Sequence, residues 1–320
     1  MVGSVGKGYN TERECKGGIE MRKELSLLGV PLDYGQTRRG VDMGPSAIRY
    51  AGAVERLRSL RYDVQDEGNI EVNAAIEACT LNGKLRHLDE VVEVNERLAH
   101  KVSAICTKGR TPIVLGGDHS VALGTLAGLS GHYERLGVIW FDAHADMNTE
   151  ETTPSGNIHG MPLAASLGYG HERLVHLYKE GAKLDPDYVV IIGARSIDPG
   201  ERALIRQLGV LVYTMHDIDK YGIAKVIDWT IEHFQERSVD GLHLSLDLDG
   251  LDPVDSPGVG TPVPGGLSYR ESHLAMEMLA ETNLLTSAEI VEVNPILDDQ
   301  NKTADVAVSL MASLFGERLL

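Results

Sequence analysis

Eight short strand-like runs, separated in several places by stretches with helical spacing, constrain the fold of this chain more than any other feature. The runs lie at residues 25–30, 62–68, 112–116, 137–141, 188–193, 210–214, 241–249 and 287–293. Helical periodicity is clearest at residues 88–106, 223–234 and 268–280, and a further helix-like stretch begins at Pro45 and extends to residue 60. Strands that alternate with helices form parallel sheets covered on both faces, and such strands are continuously apolar. The pattern predicts an α/β fold with a mostly parallel sheet.

The domain organisation follows from length and composition. No linker or internal repeat divides the 320 residues, so we expect one domain at residues 21–320 behind a flexible, glycine-rich extension at residues 1–20. No run reaches the roughly 18 apolar residues of a membrane span. A net charge of −17 argues against nucleic acid or an anionic membrane as a partner. Three widely spaced cysteines favour a reduced, cytoplasmic setting.

Histidine and aspartate side chains lie at or just after the carboxyl ends of three of the predicted strands. They are His119, Asp142, His144, Asp146, Asp247 and Asp249. Within FDAHADMN, and again within LHLSLDLDG, an extended backbone would point alternate residues to the same side. Ligands of open parallel sheets bind beyond the carboxyl ends of the strands, so we expect all six side chains to meet at one edge.

Each of these motifs has an ordinary structural explanation when it is taken alone. An alternating acidic face is common on half-exposed strands, and a histidine at a helix start, such as His119, is often a cap or core residue. The same pattern occurs at three strand ends, and this repetition favours a metal site. Carboxylates and imidazoles that are crowded together and buried need cations to balance their charge. Oxygen and nitrogen donors without a thiolate suit a hard or borderline ion such as Mn²⁺. Two ions that share bridging carboxylates could activate a water molecule for hydrolysis.

Six segments together resemble the ureohydrolases, and more narrowly the arginases of bacilli. They are GGDHS (116–120), FDAHADMN (141–148), SGNIHGMP (155–162), IGARSIDPGE (192–201), SLDLDGLDP (245–253) and EVNP (292–295). The likeness extends from Met21 to Leu320. It implies the arginase/deacetylase-like fold, which has three αβα layers around an eight-stranded, mostly parallel sheet.

The resemblance also implies a reaction and a metal centre. The reaction is hydrolysis of L-arginine to L-ornithine and urea by a hydroxide that bridges two Mn²⁺ ions per subunit. One ion would be held by His119, Asp142, Asp146 and Asp247. The other would be held by His144, Asp142, Asp247 and Asp249, so that Asp142 and Asp247 bridge. The family further implies a homo-oligomer, a trimer or a hexamer.

The same resemblance implies the residues that hold the amino-acid end of the substrate. Asn148, Ser155 and Asn157 would bind the α-carboxylate, and Asp198 the α-ammonium group, with Glu201 supporting it. Agmatine lacks the carboxylate, so these residues favour arginase over agmatinase or another guanidino-substrate ureohydrolase, which is the alternative. Without the wider pattern, SGN is an ordinary turn and DPGE an ordinary helix start.

Asp146 has a second implied role, and three further residues complete the implied site. Asp146 would pass a proton from the hydroxide to the leaving amine, and His159 would shuttle protons or orient the substrate. Glu292, at the end of an apolar strand, needs a cationic partner, and the guanidinium of the substrate is a suitable one. Thr261 would line the site. A metal-stabilised binding protein without activity is the rival from another class, and the intact ligand set argues against it.

Overall fold

A computed structural model describes residues 24–73, 81–82 and 84–318, so the extension expected at residues 1–20 lies outside the described residues. Its strands are β1 (Glu24–Gly29), β2 (Asp63–Asn69), β3 (Leu81–Asn82), β4 (Leu85–Arg86), β5 (Thr111–Leu115), β6 (Leu136–Phe141), β7 (Val189–Ala194), β8 (Leu211–Thr214), β9 (Gly241–Asp247) and β10 (Leu285–Val291). β3 and β4 form a small antiparallel hairpin. The other eight form one parallel sheet in the order β2-β1-β5-β10-β9-β6-β7-β8.

Helices connect the strands and cover both faces of the sheet. They are α1 (Gly44–Tyr50), α2 (Ala53–Ser59), α3 (Leu88–Thr107), α4 (Ala122–Leu129), α5 (Pro162–Ser166), α6 (Glu172–Val175), α7 (Pro199–Leu208), α8 (Met215–Tyr221), α9 (Ile223–Glu236), α10 (Tyr269–Thr282) and α11 (Lys302–Leu314). Short 3₁₀ helices lie at Val41–Met43, His119–Val121, Ile158–Gly160, Pro186–Tyr188 and Leu248–Gly250. In the part of the chain that the structure covers, none of these helices has the length and apolar character needed to cross a bilayer.

Two apolar clusters confirm the three-layer architecture. Alternate residues of β5 point to opposite faces, so Val114 packs with α3 and α4 whereas Ile113 and Leu115 pack with α10 and α11. Both faces of the strand are therefore buried, which explains its continuously apolar sequence.

The structure differs from the sequence-based expectation in two places. The helical stretch after Pro45 is broken into α1 and α2, because Gly52 adopts a left-handed conformation with φ of 90°. The strand expected at 241–249 ends at Asp247, and the chain continues as the 3₁₀ helix Leu248–Gly250. Because of the second difference, Asp249 reaches the site from a 3₁₀ helix and not from an extended strand.

The position of the site follows from the strand order. β5, β10, β9 and β6 are consecutive in the middle of the sheet. Because all four run parallel, their carboxyl ends lie at the same edge. The residues that follow these four strands are therefore brought together, although they are far apart in sequence.

Candidate active site

A buried cluster surrounds the imidazole of His119. Its Nδ1 lies 3.1 Å from Asp142 Oδ2, 3.0 Å from Asp146 Oδ2 and 3.2 Å from Asp247 Oδ2. All four side chains are buried. Three carboxylate oxygens thus converge on one nitrogen, an arrangement that suits a cation between them.

A second cluster lies beside the first and shares one carboxylate with it. His144 Nδ1 is 3.1 Å from Asp249 Oδ2 and 3.5 Å from Asp142 Oδ1. The two oxygens of Asp142 therefore face different imidazoles. The described residues group as His119, Asp142 and Asp146 at one position and as Asp142, His144 and Asp249 at the other. Such geometry fits a pair of cations bridged by Asp142.

The backbone brings these residues together by turning, so the expectation of an extended backbone is wrong. β6 ends at Phe141, and Asp146 has a left-handed φ of 51°. The turn at Asp142 is fixed by the His144 N–H, which donates to Asp142 Oδ1 at 2.7 Å. The Asp249 N–H donates in the same way to Asp247 Oδ1 at 2.7 Å. Each of these carboxylates therefore accepts a backbone hydrogen bond from two residues further on.

The tautomer of His119 leaves its Nδ1 free for a metal ion. Ser245 Oγ donates to Glu289 Oε1 at 2.7 Å, so the same oxygen accepts from His119 Nε2 at 2.7 Å. In the neutral imidazole, which is the form that binds a metal ion, Nε2 then carries the proton and Nδ1 the lone pair. Nδ1 is buried and has no hydrogen-bond partner among the described residues. A bound cation would satisfy this nitrogen.

Three supporting residues were not identified from the sequence. Trp140 stacks on the ring of His119 with centroids 4.1 Å apart, and its Nε1 donates to Asp142 Oδ2 at 3.0 Å. Ser245 lies two residues before Asp247, and the alternation in β9 could have placed the two on one face. Glu289 lies opposite Ser245 in the register of β9 and β10. That pairing requires the strand order, which the sequence does not provide.

The crowded charges perturb the acid–base properties of the cluster. Burial alone would lower the pKa of His144, but attraction to Asp249 and the hydrogen bond with Asp142 raise it to about 12. Burial raises the pKa of Asp146 to about 6, and the charge of Asp142 adds to this effect. Burial and the neighbouring carboxylates also raise the pKa of Asp247. These carboxylates therefore need compensating protons or cations, and their donor set fits divalent ions.

Glu292 and His159 form a hydrogen-bonded pair next to the first cluster. Glu292 follows β10 with a left-handed φ of 65°. Its Oε1 accepts from the His119 N–H at 3.0 Å and lies 3.0 Å from His159 Nδ1. Burial opposes protonation of His159, but the carboxylate of Glu292 raises its pKa to about 9. A left-handed conformation at a buried non-glycine residue is typical of functional sites.

The acidic side of the opening is built on the start of α7. Asn148 Nδ2 donates to Asp198 Oδ2 at 2.9 Å. Glu201 is buried behind them, where Oε1 accepts from the Met147 N–H at 3.0 Å and Oε2 from the Asp198 N–H at 2.7 Å. Glu201 therefore links the loop after β6 to the helix that presents Asp198.

The remaining predicted residues belong to loops that meet over the clusters. Thr261 Oγ1 donates to Asp249 Oδ2 at 2.9 Å. Thr37 Oγ1 donates to Asn157 Oδ1 at 3.0 Å, and Arg86 Nε donates to the carbonyl of Ser155 at 3.1 Å. Predicted site residues line a cavity of about 120 Å³: His144, Asp146, Asn148, Ser155, Asn157, His159, Asp198, Glu201, Asp247, Asp249 and Thr261. The structure thus brings together every residue predicted from the sequence, with His119, Asp142 and Glu292 next to this cavity.

Comparisons with known proteins show which family this chain belongs to. The family model described as "Arginase family" matches residues 23–316. The chain is 62% identical to the arginase of Bacillus caldovelox over 300 residues, which are 93% of this chain and all of that protein. It is 60% identical to the arginase of Brevibacillus brevis, covering 94% of this chain and all of that protein. The solved structure of the Bacillus caldovelox arginase superposes with a TM-score of 0.91 at 61% identity, covering 93% of this chain and all of that one.

Proposed function

The chain belongs to the arginase family, and from this premise we propose that it hydrolyses L-arginine to L-ornithine and urea with two Mn²⁺ ions per subunit. The family consists of hydrolases that act on guanidino C–N bonds. The observation that carries the proposal is the shared carboxylate of Asp142, whose two oxygens face His119 and His144. This arrangement matches a binuclear centre, which is the metal requirement of the family. Agmatinase is not favoured, since the relatives named above are arginases.

Six side chains would hold the two ions. His119, Asp142, Asp146 and Asp247 would bind one, and His144, Asp142, Asp247 and Asp249 the other. When bound, a pair of divalent ions lowers the pKa of a water molecule and supplies a nucleophile near neutral pH. The free Nδ1 of His119 supports this assignment, because a buried nitrogen without a partner is costly.

The polar opening would bind the amino-acid end of arginine. Asn148, Ser155 and Asn157 provide donors for the α-carboxylate, and Asp198 provides a negative charge for the α-ammonium group. Their shared cavity supports this division. Glu201 would position Asp198 through the hydrogen bond from the Asp198 N–H. Thr261 would position Asp249 through the hydrogen bond that its Oγ1 donates to Asp249 Oδ2.

The catalytic groups would orient the guanidinium and move one proton. Glu292 would accept a hydrogen bond from the guanidinium, whose carbon is attacked by water. Asp146 would hold the proton lost by that water on a carboxylate oxygen and pass it to the leaving nitrogen as the C–N bond breaks. His159 would orient the substrate or exchange protons with solvent. Holding reactants in attack geometry can lower a barrier by roughly 7–11 kcal/mol at best.

The assembly and location of the protein are part of the same proposal. We expect a homo-oligomer, a trimer or a hexamer, in the cytoplasm, with small molecules rather than nucleic acid or membranes as partners. The acidic net charge of −17 supports the exclusion of nucleic acid.

One assay tests the proposed function. Urea release is measured from arginine and from agmatine, with and without added Mn²⁺, after removal of bound metal. We expect urea from arginine only when Mn²⁺ is present, and little from agmatine. Faster turnover of agmatine would overturn the substrate assignment, and no urea from either compound would overturn the activity.

A further inference from the structure

One side chain from the loop after β1, Gln36, reaches Glu292 from a distant part of the sequence. Gln36 is only 5% exposed, and its Nε2 donates to Glu292 Oε2 at 2.9 Å. An ionised carboxylate only accepts hydrogen bonds, so the amide nitrogen must face Glu292 and the amide oxygen must point away. Gln36 is therefore the donor of this hydrogen bond and Glu292 is the acceptor.

The hydrogen bonds to Glu292 occupy most of its acceptor positions. An ionised carboxylate offers about four of them, two on each oxygen. The His119 N–H and His159 Nδ1 take those on Oε1, and Gln36 takes one on Oε2. One position is left on Oε2. Gln36 and His159 both line a cavity of about 470 Å³, so the buried carboxylate of Glu292 lies directly behind two residues of the cavity wall.

The two polar ends of the Gln36 carboxamide differ in how well they are satisfied. The Oε1 of Gln36 is buried and has no hydrogen-bond partner in the described part of the chain. It packs against Gly260, where a Cβ would come within 2.5 Å of it. A buried acceptor without a partner is destabilising. Among residues 24–73, 81–82 and 84–318, the hydrogen bond to Glu292 is the one polar contact of this carboxamide.

The loop that carries Gln36 is fixed to the same site. The Gly35 N–H donates to Asp118 Oδ2 at 2.8 Å, and the Gly35 carbonyl accepts from the His159 N–H at 3.0 Å. Arg38 Nη1 donates to the carbonyl of Gly260 at 3.0 Å. The residues near Gln36 on both sides are therefore held by hydrogen bonds, and these contacts fix the position of the backbone from which its side chain extends.

We infer that Gln36 is a positioning residue, which holds the carboxylate of Glu292 in the one orientation that presents the remaining acceptor position of Oε2 to the guanidinium of the substrate. This inference rests on the proposed function, in which Glu292 meets that guanidinium. Gln36 itself need not touch the substrate. Its loss should slow the reaction and leave the metal ligands in place.

The experiment compares Gln36→Met with the unmodified protein, both loaded with Mn²⁺. Methionine has a similar size and lacks the N–H donor. We expect kcat for arginine to fall by about 10- to 100-fold, as for the loss of a hydrogen bond to a charged group. KM should change by less than about threefold, and the metal content per subunit should not change. Gln235→Met makes the same chemical change on the exposed face of α9 and should have no effect.

A double-mutant cycle separates positioning from a general structural role. In a Glu292→Ala background, Gln36→Met should cause no further loss, because its target is gone. An undiminished kcat in Gln36→Met, a loss that follows the metal content, or a full loss that persists in the Glu292→Ala background would each overturn the inference. If Glu292→Ala does not fold, the crystal structure of Mn²⁺-loaded Gln36→Met decides: Glu292 should be reoriented, and an unmoved carboxylate would contradict us. If Glu292→Ala alone retains full activity, the proposed role of Glu292 fails independently of Gln36.

Discussion

The floor of the site and its rim are built on different principles. The floor consists of His119, Asp142, His144, Asp146, Asp247 and Asp249, which lie at or just after the carboxyl ends of three central strands, β5, β6 and β9. The rim consists of Asn148, Ser155, Asn157, Asp198 and Thr261, which lie on loops and at the start of α7. Asp142 and Asp247 in the floor are almost fully buried, whereas Ser155 in the rim is exposed.

The difference agrees with the proposed roles, in which the floor binds metal ions and the rim recognises the substrate. Several floor carboxylates contact the same histidine, so removing one carboxylate changes the charge balance of the whole cluster. Rim residues form separate pairs, such as Asn148 with Asp198 and Thr37 with Asn157. We therefore expect floor substitutions to abolish metal binding and activity together, and rim substitutions to change substrate use alone.

The largest effect should come from Asp247→Ala in the floor. Its Oδ2 faces His119 and its Oδ1 fixes the turn to Asp249. We expect urea production to fall by more than about a thousandfold, since a metal-activated nucleophile would be lost. Metal analysis should show fewer than two ions per subunit. A variant with normal turnover would contradict a shared ligand role for Asp247.

A smaller effect is expected for Asp198→Ala in the rim. The loss of a charged contact to the substrate should lower kcat/KM for arginine by roughly a hundredfold. The metal content should remain that of the unmodified protein, measured in the same preparation. If metal is lost in proportion to activity, Asp198 supports the floor, and the proposed division between the two regions is wrong.

Glu201 links the two regions, and its protonation should make stability depend on pH. Burial raises its pKa to about 7, above the usual value near 4.5. The folded protein then binds a proton that the unfolded chain releases, so the free energy of unfolding should fall as pH rises from 5 to 7. The expected fall is roughly 2 kcal/mol. The free energy of unfolding is measured by denaturant titration at several pH values between 5 and 7, for Glu201→Gln and for the unmodified protein, both loaded with Mn²⁺. It should fall with pH more steeply in the unmodified protein than in Glu201→Gln. An equal pH dependence in the two proteins would contradict the assignment.

Ser155→Ala should have the smallest effect, because this residue is exposed. One lost hydrogen bond to the α-carboxylate should raise KM for arginine by about tenfold or less. Weak turnover of agmatine, which lacks the carboxylate, should not change. An equal effect on both substrates would show that Ser155 does not recognise the carboxylate.

Much of the fold and of the floor could be predicted from the sequence. Strands buried on both faces leave continuous apolar runs, and each of the eight runs overlaps a strand of the sheet. The floor residues lie at the ends of such runs. Because ligands of parallel sheets bind beyond the carboxyl ends of the strands, this position alone predicted that the floor residues belong to one site. The turns at Asp142 and Asp247 were missed, since they depend on hydrogen bonds from the following backbone to the carboxylates.

The contacts of Glu289 and Gln36 could not be predicted because their partners are distant in sequence. Ser245 and Glu289 are 44 positions apart, and Gln36 and Glu292 are 256 apart. Periodicity describes only local neighbours, and such contacts need the strand order and the loop paths. For the same reason the rim residues were assigned from the family resemblance rather than from their spacing.

The most direct test of the account is the position of the metal ions in a crystal of the protein grown with Mn²⁺. Anomalous scattering should show two peaks about 3.5–4 Å apart, one beside His119 Nδ1 and one beside His144 Nδ1, with Asp142 between them. A single ion, or ions bound away from these two histidines, would contradict the account.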